Sequence, residues 1–463
     1  MRSSRSYDLS RMRHVISGVL FRLNSEMGRS LIRTFVARGI AALGALALLV
    51  AAGRLYGPEG AGVLALAQSL LLGAGILARA GMSNALMRYV GQDHYSPHVL
   101  LYLRWAVSSG LLISLPMVAA LWFGRGLFEE LFEAEGLAAV LIGVALAVPA
   151  YTYSLHLAGF FKGISMPATA CLLENGSVAL LAGTFVFLWS KLGTTNELGI
   201  IGYSYALAAW LVALQGALQV WLWRRRQSWC NSPECSLHAE VTLSQFRTTS
   251  RAFFAADLAG FMQQVLGIMI AGWLLNSADL GLFKSSEQVG LLISFILIVI
   301  NAIFPPRFAA LHHQGNITAL GRLARQGALL ALVLAAPMLL VCLAAPGWVL
   351  GLIGEGFGAG APLLRIIALA QLVNVATGSV AFLLNMTGYE TLMRNIALIC
   401  NAFGLLAFFA LIPGLGALGA AIALAFVLVV QNLVAMYFVW IKLGIWTLPG
   451  PNVLKLVGVQ PNV

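Results

Sequence analysis

The sequence predicts an all-α polytopic membrane protein with about twelve transmembrane helices, arranged as two pseudo-symmetric six-helix lobes around a central cavity. Three observations predict it. Of 463 residues, 60% are hydrophobic and 10% charged, whereas a water-soluble domain carries about 25% charged residues. The apolar content recurs in runs of about 20 residues along the whole chain, the length a helix needs to cross a bilayer. Finally, the chain matches itself when slid by about 220 residues. A single-span receptor and a soluble catalytic domain are both excluded, because no polar half remains to build either.

Residues 1–34 carry Arg2, Arg5, Arg11, Arg13, Arg22, Arg29 and Arg33 before any long apolar run. Ile16, Leu20, Leu23 and Met27 recur between them at helical spacing, which reads as an interfacial amphipathic helix on an anionic membrane face, with a disordered basic tail as the alternative. Apolar runs then place spans 1 to 6 near 35–56, 62–86, 99–123, 137–158, 165–190 and 198–223. A polar, basic linker follows at 224–249. Spans 7 to 12 lie near 250–275, 281–304, 324–345, 361–385, 391–412 and 416–441, followed by a tail at 442–463.

Lys and Arg alternate in abundance across successive connections. One side holds the arginine-rich arm, Arg88, Lys162, Arg224 to Arg226, Arg247, Arg307, Arg322, Arg394, Lys442 and Lys455, while the other holds Arg54, Arg125, Lys191 and the acidic Glu129, Glu130, Glu133 and Glu135. Both termini are therefore expected to be cytoplasmic. The net charge of +11 is a topology signal at span ends, and no nucleic-acid partner is expected. Five cysteines at 171, 230, 235, 342 and 400 make no disulfide framework. Cys230 and Cys235 with His238 resemble half a zinc site, but no second pair completes four ligands, so neither metal nor cofactor is expected.

The duplication is carried by unusual residues. At a shift of 219, Gly62 meets Gly281, Gln68 meets Glu287 and Arg88 meets Arg307; at 221, Arg104 meets Arg325 and Pro116-Met117 meets Pro337-Met338; at 217, Trp223 meets Trp440. Six spans return the chain to its starting side, so the halves form a parallel repeat about an axis along the membrane normal. A seam between two such lobes that opens to each side in turn is transporter architecture.

An ionisable side chain at the bilayer centre costs about 2.5–3.5 kcal/mol, so each needs a partner or a wet cavity. Arg79 in span 2, Glu174 in span 5 and Asp257 in span 7 lie several residues inside their spans and are the leading functional candidates, with structural ion pairs as the alternative. Arg38, Arg365, Lys284 and Glu287 lie nearer span ends and can snorkel; Lys284 and Glu287, three apart, can pair. The 219-residue register sets Arg38 opposite Asp257, suggesting a pair that closes and parts with the seam. Gln68, Asn84, Gln263, Gln264, Asn301, Gln371, Asn374 and Asn385 fit sugar hydroxyls or inter-helix hydrogen bonds. Trp105, Trp122, Trp189, Trp273 and Trp348 fall where an interfacial belt is expected. His156, at the end of span 4, is read as a proton carrier or a hydrogen-bonded core residue.

The turn Tyr56-Gly57-Pro58-Glu59, the Gly-rich second span ending in Arg88, and the segments LGLFKSSEQVG, IFPPRFAALHHQG and LLNMTGYE resemble the Wzx-type polysaccharide flippases of the multidrug, oligosaccharidyl-lipid and polysaccharide exporter superfamily. The resemblance runs from about residue 30 to 441. It implies a transporter, not an enzyme, in the bacterial inner membrane. The implied cargo is an undecaprenyl-pyrophosphate-linked oligosaccharide for surface or exopolysaccharide assembly, with H+ or Na+ as coupling ion and other polysaccharide assembly proteins as partners. Arg38 and Arg79 then suit the pyrophosphate, since guanidinium groups bind phosphate oxygens bidentately. Lys284 and Arg365 extend the substrate-binding set, and Asp257, Glu174 and Glu287 suit ion coupling or gating. The rivals are a multidrug cation antiporter of the same superfamily and a polysaccharide polymerase or ligase. A buried Arg79 opposes the first, and short outer connections oppose the second.

Overall fold

A glycine followed by a proline sets the first feature of the architecture. Proline removes a backbone donor and glycine alone enters positive φ without strain, so Gly57-Pro58 breaks a continuous helical run into two crossings. In the structure, a computed structural model describing residues 26–92, 98–192, 197–226 and 241–450, the segment Glu26–Arg79 is helical throughout except at Gly57, with φ 65° and ψ −165°. Spans 1 and 2 are thus one kinked run. The arginine-rich arm before residue 26, the Cys230, Cys235 and His238 group and the tail past residue 450 lie outside the described residues, as do the side chains of Gln263 and Gln264.

Among the described residues, nine segments are long and apolar enough to cross a membrane. The chain path gives twelve crossings, because Arg33–Arg79 crosses twice and spans 7 and 8 cross as broken helices. Span 7 runs through Leu243–Phe261, a π-helical turn at Met262–Leu266 and Gly267–Leu274. Span 8 is divided into Ser277–Ile293, Phe295–Ile303 and Pro305–His313. Span 10 breaks at Gly378, with φ 71°, between Ala361–Thr377 and Val380–Met386. Pro116 and Pro337 both sit inside their helices, in spans 3 and 9, as the repeat requires.

Span 4, Leu137–Gly163, is the axis of the first lobe and is buried along most of its length. Spans 3, 6, 9 and 11 show the opposite pattern. Leu112, Leu115, Leu214, Val333, Leu340, Phe403 and Leu406 project outward from them, which is the natural arrangement for helices that face lipid. One large apolar cluster fills the first lobe and continues across the seam to Ile268, Leu280, Phe283 and Phe408. Of two smaller clusters, one lies in the second lobe and the other joins it to Leu49 and Ala61 of the first.

The lobes touch reciprocally at the end where the acidic residues lie. The backbone of Gly62 packs against the Ser277 carbonyl, and that of Gly281 against the Pro58 carbonyl, so closely that a Cβ at either glycine would collide with the oxygen. Ser277 and Gly281 are the 219-residue counterparts of Pro58 and Gly62. Each residue therefore meets the other's image, the signature of a two-fold contact. The repeat read from the sequence is a structural symmetry at this end of the seam.

Candidate functional site

At the opposite, basic end, a charge pair is added to close backbone packing. Span 2 rises about 1.5 Å per residue from Pro58, which puts Arg79 about 30 Å away, near the far edge of the hydrocarbon. There Ala80 and Gly81 both take positive φ, 44° and 74°, and the helix restarts as Met82–Gln92. Gly81 lies against the backbone of Ser250, Phe253 and Phe254, so span 7 approaches span 2 at the point where a side chain is missing.

This approach brings Arg79 to Asp257 across the seam. Arg79 Nη2 stands 3.2 Å from Asp257 Oδ1, with the side chains 24% and 11% exposed. Asn84 Nδ2 donates to the same Oδ1 at 3.1 Å. The pairing is single-pronged: Arg79 Nε and Asp257 Oδ2 are buried and find no partner among the described residues. A guanidinium and a carboxylate can share two parallel bonds, so this bridge keeps bonding capacity for another ligand. Tyr151 and His156 lie within electrostatic range of Arg79. His156 is fully buried, with its Nδ1 3.3 Å from Ser83 Oγ.

Below the ion pair the same two spans are fastened again. Tyr89 Oη and Thr249 Oγ1 share a hydrogen bond of 2.6 Å. Phe246, buried at the start of span 7, packs among the rings of Tyr89, Tyr102 and Trp105 at 6.0, 6.3 and 6.0 Å. Trp105 thus belongs to an inter-lobe aromatic cluster and not to the belt expected of it. Nothing in the periodicity of the sequence signals this cluster; its trace is the concentration of aromatic residues at the two span ends.

The other seam, between spans 1 and 8, is built differently. Symmetry carries Asp257 back onto Arg38 and Arg79 forward onto Ile298, so the salt bridge has no counterpart of opposite charges at the image positions. Phe35 and Phe295 meet there at 5.9 Å, Arg38 is exposed, and it lies beside the Cys171 thiol. The expected Arg38–Asp257 pair is not formed, because the partner of Asp257 comes from span 2 of the facing lobe.

The remaining candidates divide plainly. Glu174 does not lie deep in a span: it sits in extended conformation, φ −87° and ψ 178°, at the break between Pro167–Leu172 and Asn175–Lys191. Its Oε1 meets Lys162 Nζ at 2.5 Å, with both side chains over one-third exposed. Lys284 and Glu287 pair with each other at 2.7 Å, each 21% exposed. Arg365 is exposed and donates from Nε to the Leu343 carbonyl at 3.4 Å. Gln68 donates to Tyr205 Oη at 2.6 Å, and Asn374 to Gln371 Oε1 at 2.9 Å, so these polar seam residues serve as inter- and intra-helix hydrogen bonds. Among the described residues no group of three His, Cys, Asp or Glu side chains is placed to hold a metal.

Comparison with solved structures gives the same architecture. The chain is similar to a lipid II flippase, MurJ, in an inward closed conformation, at TM-score 0.69 and 11% identity over 88% of this chain and 87% of that one. It is similar to an inward-facing multidrug resistance MATE transporter of the MOP superfamily, at 0.65 and 14% over 90% and 96%. A MOP superfamily transporter from Pyrococcus furiosus follows at 0.55 and 16% over 89% and 93%. At these identities the likeness is one of fold. No curated protein matches the chain by sequence. Residues 27–312, more than half of the chain, match the polysaccharide biosynthesis protein family, and the chain is a member of that family.

Proposed function

We propose that the protein is a flippase moving an undecaprenyl-pyrophosphate-linked oligosaccharide across the bacterial inner membrane by alternating access. In this reading the basic end is cytoplasmic, both termini lie on that side, and residues 35–223 and 250–441 are the two moving lobes. The observation that carries it is the cross-seam bridge between Arg79 and Asp257. A pyrophosphate offers Arg79 a better, bidentate partner than the single carboxylate oxygen it holds now. Cargo binding and opening of the basic end are then the same event.

Arg38, which is exposed and forms no salt bridge among the described residues, meets the headgroup first, and Arg79 receives it. Asp257, released, is the group on which a coupling H+ or Na+ acts; neutralising it removes its competition for Arg79. Lys284, Glu287 and Arg365 lie toward the acidic end, on the release side. The reading gives Glu174 no coupling role, since Lys162 already holds it at the surface. Membership of a polysaccharide biosynthesis family supports a glycan-bearing cargo, and the transporter folds support movement rather than catalysis.

The test is complementation of a flippase-deficient strain. Arg79→Ala and Asp257→Ala proteins, present at wild-type levels, are expected not to restore surface polysaccharide. Full restoration by both would refute the reading. Altered drug susceptibility with no effect on polysaccharide would favour the antiporter instead.

A further inference from the structure

A cationic cavity lies away from the seam, at the basic end of the second lobe. We propose that it binds the headgroup phosphate of an anionic phospholipid from the surrounding bilayer. The cavity, of about 480 Å3, is bounded by the start of span 9 and the segment that follows span 12, with Arg322, Arg325, Leu329, Ile445 and Trp446 in its wall. Span 9 begins at Ile317, so Arg322 and Arg325, three residues apart, share a helix face near the end of the span. Gly444, at φ 64°, turns the chain out of span 12. Ile445, Trp446 and Thr447 then fold back, 3%, 5% and 2% exposed.

Three features make the cavity a site for an anion. Arg325 is held at its rim by bonds from Nε and Nη2 to the Trp446 carbonyl, at 3.4 and 3.3 Å, which orients the guanidinium plane. Trp446 Nε1 is buried and has no partner among the described residues, an indole donor whose desolvation costs about 1–3 kcal/mol until something accepts from it. Among the described residues no acidic side chain lines the cavity.

The apolar surroundings choose the source of the phosphate. From Leu329, 48% exposed, span 9 presents Leu330, Val333, Leu334 and Leu340, between 48% and 64% exposed. This strip runs from the arginines along the bilayer-facing side, where an acyl chain attached to the bound headgroup would lie. A free phosphate has no use for it. Basic pockets between helices on the cytoplasmic side are places where anionic headgroups are recognised. The site is independent of the transport reading, because it lies at the edge of one lobe and touches neither seam.

Retention of dioleoylphosphatidylglycerol against dioleoylphosphatidylcholine, measured by native mass spectrometry on the purified full-length protein in detergent, tests the proposal. At about 1 kcal/mol for each basic residue, Arg322→Gln is expected to lower phosphatidylglycerol retention about fivefold, and Arg322→Gln with Arg325→Gln on the order of 30-fold. Gly321→Phe keeps both arginines and fills the cavity beside Ile445; it is expected to lower retention as well. Equal retention of the two lipids by the wild type overturns the proposal, as does unchanged retention in these variants. Displacement of the lipid by excess inorganic phosphate alone would overturn the assignment to a phospholipid; persistence of the lipid supports it.

Discussion

Replacing Asp257 with asparagine should unlatch the basic end of the seam. The side chain keeps its shape, but Arg79 loses its anionic partner. The bridge is more sheltered than a surface ion pair, at 24% and 11% side-chain exposure, so the 0.2–1 kcal/mol of an exposed pair underestimates it. A hydrogen bond to a charged group contributes about 1.5–3 kcal/mol. Because the partners belong to different lobes, this whole amount bears on the balance between closed and open. The substitution should therefore enrich the open form roughly 10- to 150-fold.

Distances between spin labels on Arg88→Cys and Thr248→Cys, exposed positions on spans 2 and 7, would report it in a variant whose five native cysteines are replaced. Wild-type protein is expected to give one dominant short distance, and Asp257→Asn to add a longer population. The charge swap Arg79→Asp with Asp257→Arg should restore the short distance without restoring transport, since the arginine then sits on the wrong lobe for the headgroup. An unchanged distance distribution in Asp257→Asn would show that the bridge does not hold the seam.

Three further outcomes follow from the same geometry. Gly62→Ala and Gly281→Ala each force a Cβ onto a backbone carbonyl and should each lower stability by about 1–3 kcal/mol; thermal unfolding of the double variant should show less than the sum, because both act on one reciprocal contact. Glu174→Gln should cost under about 1 kcal/mol, as expected of an exposed pair, and leave polysaccharide export intact; loss of export at normal protein level would return Glu174 to the coupling machinery. Exchanging Lys284 and Glu287 preserves an i,i+3 pair worth about 0.2–0.5 kcal/mol, so the unfolding midpoint should hold while export falls. Retained export would take Lys284 out of the cargo path.

The crossings were legible because hydrophobic length is a local property. Gly57-Pro58, the Arg224 to Arg226 run and the Pro-Met pairs each mark a boundary or a repeat without help from tertiary contacts. The internal breaks were less so: the π-helical turn at Met262–Leu266 falls at the Gln263-Gln264 pair, the kink after Ile293 at Ser294 and the kink after Ile303 at Pro305-Pro306, local signals that leave the hydrophobic length of each span unchanged. Arg79 and Asp257 stood out as charges in apolar surroundings. Their pairing did not, because the 219-residue register relates symmetry images, and images across a two-fold need not be neighbours. A usable signal was present in the small residues beside each charge: Ala80-Gly81 after Arg79, and Ala255-Ala256 with Ala259-Gly260 around Asp257. Backbones approach closely where side chains are small.

Both ends of the seam are closed by glycine backbones packed against the facing lobe, and the basic end adds an ion pair. At the acidic end, Gly62 on Ser277 and Gly281 on Pro58 form a symmetric backbone contact, which under the proposed alternating access opens only as the lobes rotate. At the basic end symmetry fails: one seam carries Arg79 with Asp257, and the image positions, Arg38 and Ile298, hold no opposite charges. A charge pair, unlike a packed glycine, can be exchanged for a ligand. A ligand shifts a conformational balance only by binding one state better than the other. Under the proposed function an anionic headgroup meets that condition, because the Arg79 Nη2 now held by Asp257 becomes free for it when the bridge opens. A cargo without such a group gains nothing from opening the bridge. If the protein is the flippase proposed above, the strength of the bridge sets a threshold for the headgroup, and selection by charge precedes any reading of the sugar.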